Sequence, residues 1–188
     1  MGRWQPNARG RLEQAALDLF GERGFEQTTT AQIAERAGLT ERTFFRHYAD
    51  KREVLFGGSH LLEQVFVETL AGTPETAAPI DAMTSTLEAV AAYFVGRHEF
   101  ARQRQAVIMA SAELRERELI KLASLSSALA ATLRQRGMQE PAASLTAETG
   151  IAVFKVGFGR WVAGEGERTL ADFLREALDG LKAVAAGG

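Results

Sequence analysis

Two arginines and their neighbours in one short segment form the clearest chemical pattern of this 188-residue sequence. Arg42 and Arg46 are four residues apart, so on a helix they share one face, where like charges repel slightly. Hydrogen bonds from the guanidinium groups to guanine or phosphate would offset that repulsion. The same face also carries Glu41, Thr43 and His47. The pattern therefore indicates a surface that binds DNA.

A helix-turn-helix is the element that could position this surface. Ala34 is small enough for two helices to cross closely, and Gly38 can adopt the positive φ of a tight turn. Phe44 would fill the small core from the second helix, which the Thr40 hydroxyl could cap. Any two short helices joined by a glycine turn could share this spacing, so alone it only suggests DNA binding.

Apolar residues recur with the 3.6-residue period through almost the whole chain and predict an all-α fold of about nine helices. Thr29 and Gln32 predict a capping box at the second helix, and Asp50 predicts the start of a continuous fourth helix ending near Gly72. We expect a three-helix DNA-binding domain over residues 1–52 and a larger helical bundle over 53–188. Residues 1–52 carry a net charge of +2 and the remainder −4, which favours DNA contact in the first part.

Composition and motifs argue against an enzyme. The chain has no cysteine and no dinucleotide or phosphate-loop motif, and His47, His60 and His98 are scattered without metal-ligand spacing. The alternating charges between Glu113 and Glu118 are expected to form a solvated face. We predict no metal, no cofactor, no membrane-spanning segment and a cytoplasmic location.

The stretch from Arg11 to Lys51 resembles the N-terminal domain of the TetR family of bacterial transcriptional regulators. The resemblance covers about a quarter of the chain. The matching residues are Leu12, Ala15, Ala16, Leu19, Phe20, Gly24, Phe25, Thr28 to Thr30, Ile33, Ala34, Ala37 to Thr40, Thr43 to Tyr48, and Lys51.

The resemblance implies roles for individual residues toward DNA. It implies that Thr28, Thr29 or Thr30 meets a phosphate, that Thr40, Glu41, Arg42 and Thr43 face the major groove, and that His47 and Lys51 hold the DNA backbone. Arg46 is a further candidate contact. Phe45 stands where family members often have a tyrosine whose hydroxyl contacts phosphate. Phenylalanine lacks that hydroxyl, so Phe45 could instead contact a thymine methyl group or a sugar. Tyr48 is expected in the core. Arg3, Arg9 and Arg11 would reach DNA or form a solvated tail.

The resemblance also implies a repressor that forms a homodimer through its last two long helices and binds a palindromic operator. A small, mainly apolar effector would release this repressor from the operator. Gly150, Gly157 and Gly159 fit a close approach of another helix, in a partner or in the same chain. Candidate effector contacts are Phe66, Tyr93, Phe94, Met109, Phe158 and Trp161. For each of these residues, ordinary core packing is the commoner role.

The alternative function for the whole chain is a helical ligand-binding or scaffold protein without DNA activity.

Overall fold

The computed structural model describes residues 7–165 and 167–187, and these residues confirm the predicted all-α fold. They form nine α-helices and one short 3-10 helix, Glu53–Phe56. Arg3 lies outside the described residues. The α-helices are α1 Ala8–Arg23, α2 Thr30–Arg36, α3 Glu41–His47, α4 Ser59–Gly72, α5 Pro79–Tyr93, α6 His98–Ala110, α7 Ala112–Gln135, α8 Ala142–Ala163 and α9 Leu170–Ala185.

Local hydrogen bonds explain where the short N-terminal helices begin and end. The predicted capping box of α2 is confirmed: Thr29 Oγ1 accepts from the Gln32 amide, and the Gln32 side chain accepts from the Thr29 amide. Thr40 caps α3 by accepting from the Thr43 amide at 3.2 Å. Gly38, in the turn between the two helices, has a φ of +65°. Glycine adopts this conformation without the steric cost that other residues meet.

The prediction of one continuous fourth helix from Asp50 to Gly72 is wrong. The chain forms the 3-10 helix Glu53–Phe56 and starts α4 only at Ser59. Two adjacent glycines, Gly57 and Gly58, separate the two elements and favour the helical state poorly. Asp50 is not the N-cap of this 3-10 helix, which is Arg52. Its Oδ1 instead closes the preceding turn by accepting from the amides of Arg52 at 2.8 Å and Glu53 at 3.1 Å.

The chain divides into two compact units. The N-terminal unit comprises the described residues up to Ser59 together with Gln103–Glu118, and the C-terminal unit comprises His60–Arg102 and the described residues from Leu119 onward. The second half of α6 and the start of α7 thus belong to the same unit as the helix-turn-helix. The units describe packing in the folded chain, so the domain boundary after residue 52 stays a prediction.

Ion pairs hold the second segment of the N-terminal unit to the 3-10 helix. Arg117 Nε lies 2.6 Å from Glu53 Oε1, and Arg104 donates to the Leu55 carbonyl at 2.8 Å and to Glu118 at 3.1 Å. The Arg117 and Glu118 side chains are only 34% and 23% exposed. The face predicted to be solvated between Glu113 and Glu118 is exposed at Glu113, Arg115 and Glu116. Its other two charges are partly buried: Arg117 pairs with Glu53 of the 3-10 helix, and Glu118 pairs with Arg104.

The C-terminal unit packs α8 against both α5 and α9, and two glycines of α8 make this possible. A Cβ atom on Gly157 would lie 3.1 Å from both the backbone nitrogen and the Cα of Leu174 in α9. A Cβ atom on Gly150 would collide with Met83 of α5. Both glycines therefore mark close packing within one chain. Apart from its sequence neighbours and the nearby α8 backbone, Gly159 has no described atom within 4 Å of its Cβ position.

Candidate functional site

The α2–turn–α3 motif is built around one buried ring. Phe44 is fully buried and Ala34 is 1% exposed, as the predicted close crossing requires. The Leu39 amide donates to the Ala34 carbonyl at 2.8 Å and closes the turn. Arg11 of α1 donates to the Ala37 carbonyl at the end of α2, so its guanidinium holds the turn. This role was not evident in the sequence, which indicated only a DNA contact or a solvated tail.

The opposite face of α3 presents a mixed cationic and aromatic surface. Arg42, Arg46 and His47 are exposed, and the Phe45 side chain is 54% exposed. Within the described chain the Arg42 and Arg46 side chains make no hydrogen bond or ion pair. The Phe45 ring meets the buried Phe44 ring edge-on at 5.5 Å, which orients it although it projects outward. The structure therefore brings together four of the predicted DNA contacts on one accessible face.

Several other predicted contacts are bonded to one another at the ends of the helices. Thr30 donates to the Glu41 carboxylate at 2.5 Å, which joins the first residues of α2 and α3. The hydroxyl oxygens of Thr40 and Thr43 lie 3.0 Å apart. These side chains have a positioning role in the free protein, and the Thr30 hydroxyl could donate to a phosphate only by leaving Glu41.

Three further predicted contacts lie in, or bind to, the loop between α1 and α2. Thr28 is 1% exposed, and its hydroxyl donates inward to the Gly24 carbonyl at 2.9 Å. Lys51 is half-buried, and its Nζ lies 2.9 Å from the Phe25 carbonyl oxygen and 4.1 Å from the centre of the Phe25 ring. Thr29 is exposed as the cap of α2. Of the three threonines, Thr29 thus has the geometry that best suits a phosphate contact.

A polar network joins α1, the residue after α3, and the approach to α4. Tyr48 is buried, as predicted for a core residue, but its hydroxyl donates to Glu13 Oε1 at 2.7 Å and accepts from Arg9 Nε at 3.3 Å. Arg9 also donates to the Gly57 carbonyl. Burial, with the Glu13 carboxylate beside it, raises the pKa of Tyr48 above its usual value. The hydroxyl is therefore a constant donor to Glu13 at neutral pH.

The C-terminal unit gathers five of the six predicted effector contacts into one aromatic cluster. Phe94 lies at its centre, with ring centroids 5.3 Å from Phe158 and 5.8 Å from Trp161. Phe154 and His98, which were not among the predicted effector contacts, complete it. The aromatic cluster consists of Phe66, Tyr93, Phe94, His98, Phe154, Phe158 and Trp161. His98 Nε2 also lies 2.9 Å from the Trp161 carbonyl oxygen.

Met109 and the cavities lie apart from this cluster. Met109 is 55% exposed and belongs to the N-terminal unit. In that unit a cavity of about 450 Å³ is lined by Phe20, Phe25, Val107 and other residues at the end of α1 and at the α6–α7 turn. In the C-terminal unit a cleft of about 40 Å³ lies between α5 and α9.

The described residues contain neither a cluster of metal-ligating side chains nor a membrane-spanning helix. No group of three or more acidic or histidine side chains in these residues is arranged to hold a metal ion. No helix in the same part of the chain is both long and apolar enough to cross a membrane.

Comparisons with known proteins identify the family over most of the chain. Residues 13–56 match the domain described as "Bacterial regulatory proteins, tetR family". Residues 77–186, more than half of the chain, match the MftR C-terminal domain of the same family. The two matches cover the helix-turn-helix and the helical bundle respectively.

Individual relatives agree with this assignment. The chain is 39% identical over 82 residues to the transcriptional regulator TcmR of Streptomyces glaucescens, covering 44% of this chain and 36% of TcmR. It is 32% identical over 65 residues to the putative mycofactocin biosynthesis regulator MftR of Mycobacterium tuberculosis, covering 34% of this chain and 33% of that protein. The matched part thus spans about a third of these curated relatives.

The crystal structure of Thermus thermophilus FadR with lauroyl-CoA superposes with a TM-score of 0.55 at 26% identity, over 91% of each chain. The chain belongs to the TetR family of bacterial transcriptional regulators.

Proposed function

We propose that this regulator is a repressor that binds a palindromic operator as a homodimer and dissociates when a small, mainly apolar effector binds. The observation that carries the DNA-binding part is the exposed face of α3. Arg42, Phe45, Arg46 and His47 project from a helix that Phe44 anchors in the core. A helix presented in this way fits the major groove, where arginine can donate two hydrogen bonds to guanine.

Selection of bound duplexes from a random DNA pool tests this part. We expect a palindromic sequence to be enriched, and Arg42→Ala to lower the preference for it by about 1–3 kcal/mol if Arg42 contacts guanine. Arg175→Ala in α9 is the control, since it removes an exposed arginine far along the chain from α3. Failure of the unmodified protein to bind any duplex at low salt would favour the alternative, a helical ligand-binding or scaffold protein.

An uncharged stripe on the outer face of α8 supports the homodimer. Leu145 is 63% exposed and Val156 is 55% exposed, although both are large and apolar. Helical spacing places Thr149, Ala152, Gly159 and Ala163 on the same face. Gly159 in α8 and Gly180 in α9 each leave open space within their own chain, and a second copy would explain why these helices tolerate them.

The oligomeric state of charged variants tests the dimer. Val156→Arg places a charge at the middle of the α8 stripe, where association would bury it without a partner, so we expect monomers in sedimentation experiments. Ala123→Arg adds the same charge at an exposed position of α7 and should leave the dimer intact. Equal sedimentation of Val156→Arg and the unmodified protein would place the interface elsewhere.

The aromatic cluster is our proposed effector site, because it joins apolar rings from α4, α5 and α8 in one place. Met109 is not included, since it is exposed in the other unit. The rings are closely packed, so an effector would have to separate them. Such a change could alter the spacing of the two α3 helices in the proposed dimer. The Thermus thermophilus relative was crystallised with lauroyl-CoA, and the apolar lauroyl chain makes this compound the first probe.

Tryptophan fluorescence can follow effector binding at this cluster. The chain has two tryptophans, and Trp4→Phe would leave Trp161 as the reporter. We expect lauroyl-CoA to change the Trp161 emission and to weaken binding to the selected duplex over the same concentration range. An emission change without loss of DNA affinity would contradict the proposed release, and no change in either would exclude this ligand.

A further inference from the structure

The Lys51 ammonium group lies among the backbone carbonyls of the loop between α1 and α2. Its Nζ is 2.9 Å from the Phe25 oxygen, 3.3 Å from the Thr28 oxygen and 3.5 Å from the Glu26 oxygen. The same nitrogen lies 4.1 Å from the centre of the Phe25 ring, within the range of a cation–π interaction. Lys51 follows α3 in sequence but is bonded to the loop that precedes α2.

These contacts provide an acceptor for each of the three N–H donors of the ammonium group. A lysine side chain has three N–H donors and no acceptor, and three carbonyl oxygens surround this one. A phosphate contact would require Lys51 to leave these carbonyls and the Phe25 ring. Arg46 has no comparable partner in the described chain and is exposed. It can therefore meet a phosphate without breaking an existing contact.

The loop that Lys51 holds leads directly to the cap of α2. Within the loop, the Thr28 hydroxyl donates to the Gly24 carbonyl at 2.9 Å and the Thr28 amide donates to the Phe25 carbonyl at 3.3 Å. With Lys51 added, the carbonyls of Gly24, Phe25, Glu26 and Thr28 all have donors. The next residue, Thr29, closes the capping box of α2 and is the threonine whose geometry best suits a phosphate contact.

We propose that Lys51 is a positioning residue, which supports DNA affinity by fixing the α1–α2 loop and does not itself neutralise a phosphate. The proposal rests on the DNA-binding function proposed above. It departs from the role that the family resemblance implied for Lys51. Its consequence is that removal of the Lys51 charge should weaken DNA binding without changing the number of ions released from the DNA.

The salt dependence of DNA binding distinguishes the two roles. Each phosphate that a protein cation neutralises contributes about −0.9 to the slope of log affinity against log salt concentration. We would measure this slope with the duplex selected by the unmodified protein. Lys51→Met keeps an apolar stem beside Phe25 and removes the charge. We expect its affinity to fall by about tenfold with an unchanged slope. Arg46→Met is the matched variant and should make the slope shallower, by about 0.9 for each phosphate that the variant no longer neutralises.

Hydrogen exchange on the DNA-free protein measures the loop itself. We expect the Thr28 amide to exchange faster in Lys51→Met, with no change at Leu39, whose amide closes the α2–α3 turn. In the unmodified protein, the Lys51 ammonium protons should be observable by nitrogen-correlated NMR. Those of the exposed Lys155 and Lys182 should be invisible because they exchange with water. The NMR measurement needs no variant and stands even if Lys51→Met does not fold.

The possible outcomes separate this proposal from the function on which it rests. A shallower slope for Lys51→Met, unchanged DNA affinity, unchanged loop exchange or an unobservable Lys51 ammonium signal would each overturn the positioning role. If the unmodified protein binds no DNA at low salt, the proposed function itself fails, and with it the effect of Lys51 on DNA. A slower amide exchange of Thr28 in the unmodified protein than in Lys51→Met would then show only that Lys51 stabilises the loop.

Discussion

Replacement of Gly157 by alanine tests the closest helix contact in the C-terminal unit. The new Cβ atom would lie 2.7 Å from Leu174 Cδ2 and 3.1 Å from the Leu174 nitrogen and Cα. The Leu174 side chain can rotate away, but its backbone can move only if α9 shifts by a few tenths of an ångström. The substitution therefore sets the helix propensity of alanine against the packing of α8 on α9.

The two effects differ in sign and can be compared. Alanine favours a helix interior over glycine by about 1 kcal/mol. Inserting a methyl group into a well-packed contact costs about 1–3 kcal/mol, and this contact involves backbone atoms, which relax poorly. The expected net effect of Gly157→Ala is a decrease of about 1 kcal/mol in the free energy of unfolding. For a chain of this size that decrease corresponds to a fall in Tm of about 2–4 °C.

Chemical and thermal unfolding at a fixed protomer concentration would measure this decrease, because mass action would shift the stability of the proposed dimer. Gly21→Ala is the matched control. Gly21 lies in α1, and apart from its sequence neighbours and the nearby α1 backbone no described atom lies within 4 Å of its Cβ position. The substitution should therefore stabilise the protein by up to about 1 kcal/mol. If Gly157→Ala stabilised the protein as much as Gly21→Ala, the close approach of α8 and α9 would be refuted.

Three further substitutions probe individual hydrogen bonds. Tyr48→Phe removes the donor to Glu13 and should lower the free energy of unfolding by about 1–2 kcal/mol in urea titrations; unchanged stability would show that the network contributes nothing. The Arg52 guanidinium and the Glu53 amide lower the pKa of Asp50, so its contribution to stability is present above the usual carboxyl pKa and is lost as the pH falls. The stability difference between the unmodified protein and Asp50→Asn should therefore shrink from about pH 6 to about pH 3, and a constant difference would contradict this. Thr169→Ala removes the capping box of α9 and should lower Tm by a few degrees, an effect that Thr169→Ser should largely restore.

Helices and their caps could be predicted from sequence because their determinants lie within a few residues of one another. Thr29 and Gln32 are three residues apart, and both partners of the capping box were visible in the sequence. The break before α4 was missed because the apolar period continues across it. Gly57 and Gly58 gave a signal, but the Glu13 and Tyr48 side chains packed against Gly57 come from distant positions.

The candidate site shows the same division between local and distant determinants. The exposed face of α3 followed from the helical period around Phe44 alone. The contacts of Lys51 with Phe25 and of Glu53 with Arg117 join residues 26 and 64 positions apart. No local pattern contains such a pairing. The residues that hold the site were therefore assigned to DNA or to solvent, while those that form its surface were predicted correctly as exposed.

This division bears on how the regulator could recognise a specific sequence. Thr28, Thr30, Glu41 and Lys51 each have a partner inside the N-terminal unit. The accessible α3 face is correspondingly small, with Arg42, Phe45, Arg46 and His47 as its large side chains. Four side chains on a two-turn helix can reach only a few base pairs.

In the proposed homodimer, two copies at a fixed spacing would add to what so small a surface can recognise. Two-fold dimers of helix-turn-helix proteins meet half-sites about 34–36 Å apart, or multiples of that distance. The hydrogen bonds inside each N-terminal unit would then serve the same purpose as the proposed dimer contact, because both would fix the positions of the two α3 helices. Each half-site contributes little binding energy, so a loose loop or a loose interface would forfeit the gain from binding both half-sites together. On this reasoning, Lys51→Met and Val156→Arg should each reduce the affinity for a palindromic duplex more than the affinity for a duplex with a single half-site. We expect this shared effect although the two substitutions lie in different units.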